Sequence, residues 1–95
     1  MSEQTYLDDI LNRVGKSTFI KYYYDFRTQD TSMIIRKMDE PFTDKSKRSR
    51  TSKAIRLFRE NINLEALERI IASIRVDDIT LQKAKEIYLF ETKRN

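Results

Sequence analysis

The feature that most restricts the fold of this chain is its scarcity of glycine and proline, with one of each among 95 residues. These residues form the turns between strands, so their near absence favours helices joined by short polar turns. The apolar residues also indicate helices, because they recur at helical spacing in about six segments. The chain has no fixed internal repeat and no dividing linker. We therefore predict an all-α fold, a single compact bundle of about five to six short helices spanning residues 1–95.

Local patterns predict where the helices of the N-terminal half begin and end. A first helix over residues 3–13 would be ended by Gly15 at its C-terminus. Ser17 is the predicted N-cap of a second, aromatic-rich helix, and Asp30 that of a third over residues 31–39. The short break before Asp30 is compatible with a helix-turn-helix corner, although it lacks the glycine often found there.

The C-terminal half begins with a stretch that has no apolar side chain, residues 43–53. We interpret residues 43–50 as either a solvated extension of the following helix or a flexible loop. Asn63 is the predicted N-cap of the next helix, whose apolar side runs from Leu64 to Ile74, and a last helix is expected over about 79–92. Residues 92–95 are expected to fray.

Composition excludes several kinds of chemistry. The chain has no Cys and no His, so it has no thiol nucleophile, imidazole base, disulfide or nitrogen or sulfur ligand for zinc. We predict no cofactor, no metal site and no enzymatic activity. The N-terminal sequence lacks the features of a secretory signal, and no apolar run approaches twenty residues, which predicts a cytoplasmic protein without a membrane contact.

Two motifs that are associated with catalysis or nucleotide binding are incomplete. Residues 15–18, GKST, match the end of the P-loop pattern, but Ile10 stands where its first glycine is required. A P-loop also follows a buried strand, whereas this segment separates two predicted helices. Adjacent carboxylates such as Asp8 and Asp9 point in different directions on a helix, which suits capping better than catalysis.

The strongest functional signal is a basic segment, residues 45–59, that contains no acidic residue. Its seven cations are Lys45, Lys47, Arg48, Arg50, Lys53, Arg56 and Arg59. The segment carries +7, whereas the other residues, with 12 basic and 15 acidic side chains, carry −3. Because clustered charges of one sign attract polyanions, we predict that the segment contacts DNA or RNA phosphates, as in a small regulator or accessory factor.

A helical wheel divides these cations into two groups. Five lie opposite the apolar side, on the same face as Ser49 and Ser52: Lys45, Arg48, Lys53, Arg56 and Arg59. Lys47 and Arg50 fall over the apolar side. Either the helix begins near residues 49–51, or its first turns project beyond the domain, and in both cases we expect Lys47 and Arg50 to be solvated.

A protein partner is the alternative to nucleic acid. The basic segment would then dock on an acidic protein, or two copies would associate through the three consecutive tyrosines, Tyr22, Tyr23 and Tyr24. Three consecutive rings on a helix cannot all face one core, so at least one is expected at the surface, where it could stack on bases or form an interface. Packing in the core or at its boundary is the competing interpretation for these rings.

Overall fold

The computed structural model of the protein describes residues 3–93, which form seven α-helices and no strand. The helices are α1 (Glu3–Val14), α2 (Lys16–Lys21), α3 (Tyr23–Thr28), α4 (Thr31–Lys37), α5 (Asp44–Arg59), α6 (Asn63–Ala72) and α7 (Asp78–Lys93). The radius of gyration over Cα atoms is 12.7 Å, close to the value of about 12 Å expected for a compact domain of this length. The all-α bundle is confirmed, with slightly more helices than predicted.

The additional helix arises because the predicted second helix is interrupted. Tyr22 has φ −111° and ψ 22°, outside the usual helical values, and it separates α2 from α3. Gly15 ends α1 as predicted, with φ 92° and its N–H donating to the carbonyl of Leu11 at 2.8 Å. The chain re-enters a helix directly after this glycine, so Gly15, and not Ser17, is the residue that precedes α2.

The corner between α3 and α4 consists of two residues, Gln29 and Asp30. Gln29 adopts a left-handed conformation with φ 61°, and the Asp30 carboxylate caps α4 by accepting a hydrogen bond from the Met33 N–H at 3.1 Å. The predicted cap is therefore confirmed, although α4 ends at Lys37, two residues earlier than predicted. The basic segment lies in the following helix, α5, and not in either helix of this corner.

Helix α5 starts at Asp44, where the Thr43 hydroxyl accepts a hydrogen bond from the Ser46 N–H at 3.1 Å. Of the two predicted possibilities, the helical extension is confirmed, because residues 44–50 belong to one continuous helix with the rest of the basic segment. Helices α1, α3, α4 and α6 all pack against α5. It is therefore the central element of the bundle.

The centre of the core is a cluster of aromatic rings from α2, α3 and α5. Phe19 and Tyr23 are fully buried and meet edge to face, with ring centroids 5.4 Å apart. Phe58 lies 6.0 Å from Phe19 and 5.0 Å from Tyr23, and Phe26 stacks on Phe19 at 6.1 Å. The aromatic residues of the second predicted helix therefore join α2, α3 and α5 at the core.

The C-terminal helices differ from the prediction at their ends. Asn63 does not cap α6 but is its first residue, and its side-chain amide donates to the hydroxyl of Tyr23 at 2.9 Å. Because α6 ends at Ala72, Ile74 lies outside the helix and is 97% exposed. Helix α7 includes Thr92 and Lys93, and the last two residues of the predicted frayed tail lie outside the described residues.

Candidate nucleic-acid interface

Five cations of α5 point away from the core, as the helical wheel predicts. We call them the outer basic face: Lys45, Arg48, Lys53, Arg56 and Arg59. Lys53 is partly buried and donates to the Ser49 hydroxyl at 2.7 Å, and the other four are exposed. The face extends for about 21 Å along the helix at 1.5 Å per residue. It also includes the exposed residue Ser52.

Helices α1 and α4 flank α5, and both run antiparallel to it. On the α1 side, the Tyr6 hydroxyl donates to the Glu60 carboxylate at 3.0 Å, just beyond the end of α5, and Arg50 reaches the carbonyl of Val14 near its start. On the α4 side, Arg59 near the end of α5 lies 3.5 Å from the Gln29 side chain, just before α4, and Lys47 near its start reaches the carbonyl of Met38, just after α4. The outer basic face therefore has a helix on each side of it.

Lys47 and Arg50 each bond to the end of a neighbouring helix, and the prediction that both are solvated is wrong. The Lys47 ammonium donates to the carbonyl of Met38 at 3.0 Å, and Arg50 Nη1 donates to the carbonyl of Val14 at 2.8 Å. The Arg50 guanidinium also lies 3.9 Å from the centroid of the Phe42 ring. Both side chains are partly buried, and their charged groups satisfy carbonyl groups at helix ends.

Ion pairing distinguishes α5 from several other parts of the molecule. Among the side chains of residues 5–93, five cations pair with carboxylates, and all of them lie outside the basic segment: Arg13, Lys21, Arg27, Lys37 and Arg69. None of the seven cations of α5 has such a partner among those side chains. None of these described carboxylates therefore lies within ion-pairing distance of the basic segment, and the positive charges of its five outward cations add up along one side of the helix.

The outer basic face has no large apolar side chain. The exposed large apolar residues of the described chain all belong to other segments: Tyr6, Tyr24, Ile74, Ile79, Leu89 and Phe90. Of the three consecutive tyrosines, Tyr22 and Tyr23 are buried and only Tyr24 reaches the surface, on α3. The expectation that at least one ring is exposed is confirmed, but this ring is not on the basic helix.

A polar cluster holds the loop that leads into α5. The Lys21 ammonium lies 3.0 Å from the carboxylate of Asp39 and 2.9 Å from that of Glu40, and the Tyr22 hydroxyl donates to Glu40 at 2.8 Å. Hydrogen bonding to Lys21 holds the pKa of Asp39 below its ordinary value. Burial acts to raise the pKa of Glu40, but the hydrogen bonds from Lys21 and Tyr22 outweigh it and leave that pKa lowered.

This cluster predicts a loss of stability in acid. The ordinary pKa values of Asp39 and Glu40 are 3.8 and 4.5, and both are lowered in the folded protein. The two ionised carboxylates therefore stabilise the fold fully at pH values above these ordinary pKa values. This stabilisation is lost as the pH falls through the lowered values. Thermal unfolding between pH 7 and pH 3 measures the effect, and replacing Lys21 by methionine should reduce the acid-dependent part of the loss.

Lys85→Met is the matched control, since this exposed lysine on α7 pairs with no carboxylate among the described residues. It should retain the acid dependence of the wild type. If Lys21→Met and the wild type lose stability in parallel from pH 7 to pH 3, this cluster does not contribute to the acid sensitivity.

The other features considered in the sequence lie outside the outer basic face. Residues 15–18 lie at the junction of α1 and α2, between two helices as predicted. Within residues 3–93, no group of three or more carboxylates is arranged to hold a metal ion. None of the helices in that range combines the length and the apolar character needed to cross a bilayer.

Comparison of the chain with protein-family models, with curated proteins and with solved structures gives no match. Its function is therefore inferred from the positions and charges of its own residues.

Proposed function

We propose that the protein binds the phosphate backbone of nucleic acid through the outer basic face of α5, as a small cytoplasmic regulator or accessory factor. The observation that carries this proposal is the set of five outward cations, none of which forms an ion pair with a carboxylate among the side chains of residues 5–93. A duplex carries about one negative charge per 1.7 Å of its axis. Cations along one helix face would therefore meet several phosphates and release the counterions condensed on them.

The hydroxyl groups on this face add to its suitability for phosphates. Ser49 and Ser52 are exposed between the cations, and serine hydroxyls donate hydrogen bonds to phosphate oxygens. Contacts of this kind position a protein on the backbone but carry no direct sequence information. We therefore expect binding with little sequence preference.

The absence of an apolar anchor favours nucleic acid over an acidic protein as the partner of this face. Protein interfaces depend on a few buried aromatic or apolar residues at their centre, and none of the exposed large apolar residues of the described chain is on α5. The same absence favours double-stranded over single-stranded nucleic acid, because single strands are bound largely by stacking bases on exposed rings.

Fluorescence anisotropy of a labelled duplex tests the proposal. The wild type should bind, and its affinity should fall steeply as salt rises. Replacing Arg48 and Arg56 by glutamine should weaken binding to every duplex sequence alike, and it should reduce the slope of log affinity against log salt by about 0.9 for each lost contact.

A charge-matched control separates a local contact from general attraction. The variant with Arg75→Gln and Lys85→Gln removes two exposed charges outside the basic segment and should bind as the wild type does. No binding by the wild type at low salt would refute the proposal. Equal weakening in both double variants would show that net charge, and not the outer basic face, governs the attraction.

A further inference from the structure

Helix α7 presents a row of exposed side chains to solvent. Ile79, Lys83, Glu86 and Phe90 follow one another at intervals of four, three and four residues, which places them along one side of a helix. Ile79 is 82% exposed and Phe90 is 52% exposed, and the two charged residues between them are also exposed. We call these four residues the α7 seam.

The seam has apolar ends and a charged middle. The Phe90 ring lies edge to face with the ring of Tyr24, with centroids 6.1 Å apart, so Tyr24 widens the apolar end. Tyr24 is itself 45% exposed. Lys83 and Glu86 carry opposite charges, and neither forms an ion pair with a side chain of residues 5–93.

We propose that the α7 seam binds the same seam of a second copy in antiparallel orientation and so forms a symmetric homodimer. When two such helices run antiparallel, Ile79 of one protomer faces Phe90 of its partner, and Lys83 faces Glu86. The two-fold axis repeats both contacts. Each apolar end then covers an apolar end, and each charge meets its opposite.

We infer that the partner is a second copy of the chain because the α7 seam is complementary to itself. A symmetric dimer uses the same surface on both subunits, so that surface must match its own rotated image. The α7 seam does so only in the antiparallel arrangement. A parallel arrangement would place Lys83 against Lys83 and Glu86 against Glu86, and like charges in contact oppose association.

The dimer is independent of the nucleic-acid proposal. Helix α7 packs mainly on α6 and α2, whereas the outer basic face belongs to α5 and lies between α1 and α4. The outer basic face of each protomer would therefore remain available to nucleic acid in the dimer. A failure of nucleic-acid binding would leave the α7 proposal standing, and the reverse also holds.

Sedimentation velocity on the full chain tests the dimer without any nucleic acid. Over a series from about 1 µM to 1 mM protein, the wild type should shift from monomer to dimer. Lys83→Glu places like charges together in both symmetric contacts, and so does Glu86→Lys. Each variant alone should raise the dimer dissociation constant at least about tenfold.

Mixing the two variants gives the most specific readout. The two glutamates of K83E would face the two lysines of E86K, so an equimolar mixture should form a heterodimer at concentrations where each variant alone dimerises only weakly. Lys85→Glu, a charge reversal on α7 outside the seam, is the matched control and should dimerise as the wild type does. Circular dichroism confirms that each variant is folded.

Ile79→Ser provides a variant without a charge change, and it should weaken the dimer because it removes an apolar contact that the symmetry repeats. A wild type that stays monomeric up to about 1 mM would overturn the proposal. So would a wild-type dimer that both charge reversals leave intact, because the interface would then lie on another surface. Failure of the mixed variants to associate would overturn the antiparallel pairing.

Discussion

Replacing Phe19 by alanine should lower the free energy of unfolding by about 3–5 kcal/mol. The side chain is fully buried, and its ring contacts the rings of Tyr23, Phe26 and Phe58, which come from two further helices. Truncation therefore removes apolar contact area and leaves a cavity that rigid neighbouring rings cannot easily close. Urea denaturation followed by circular dichroism measures the change.

Tyr24→Ala is the comparison for this substitution, because it removes an aromatic ring from the same segment at a half-exposed position. We expect it to cost about 1 kcal/mol, well below the loss for Phe19. Equal losses for the two variants would contradict the placement of Phe19 at the centre of the core.

Replacing Gly15 by alanine should cost about 2–3 kcal/mol, because it introduces both backbone strain and a steric conflict. Gly15 has φ 92°, a conformation that residues with a Cβ rarely adopt. A Cβ at this position would lie 3.2 Å from Nη1 of Arg50 and 3.4 Å from Oγ1 of Thr18. That same guanidinium nitrogen donates to the carbonyl of Val14, so moving it weakens a hydrogen bond that ties α5 to α1.

A double-mutant cycle with Arg50→Met separates these two contributions. If the Cβ displaces the guanidinium, G15A should cost less in the R50M background than in the wild type, because the conflict and the hydrogen bond are already gone. Urea denaturation of the four proteins provides the comparison. A G15A variant as stable as the wild type would contradict the strained conformation of Gly15. Strictly additive losses of stability in the double variant would show that the added methyl group does not displace the Arg50 side chain.

Much of the bundle could be predicted from the sequence because most of its helices have an apolar side that is readable at helical spacing. The ends of α1 and α4 were also predictable, since Gly15 and Asp30 act through their own local conformation and hydrogen bonding. The interruption at Tyr22 was not predictable in this way. The apolar spacing continues across that residue, and its hydroxyl reaches Glu40 in a loop that the local pattern does not reveal.

The outer basic face could be predicted for the same reason, because the helical wheel depends only on sequence spacing. The roles of Lys47 and Arg50 could not. The wheel placed them over the apolar side, but their partners are backbone carbonyl groups of Met38 and Val14, which tertiary folding alone brings near. Asn63 shows the same limit: it is a favourable capping residue by type, yet its amide bonds to Tyr23, forty positions away in the chain.

The position of the charges along α5 has a consequence for how this helix is maintained. The positive end of the helix dipole lies at its N-terminus, where Lys45, Lys47 and Arg48 add positive charge and only Asp44 compensates. This charge arrangement opposes the first turns as an isolated helix, and besides the Thr43 cap, the contacts of Lys47 and Arg50 with the ends of neighbouring helices hold these turns in place. We therefore expect the full length of the outer basic face to form only on the folded domain.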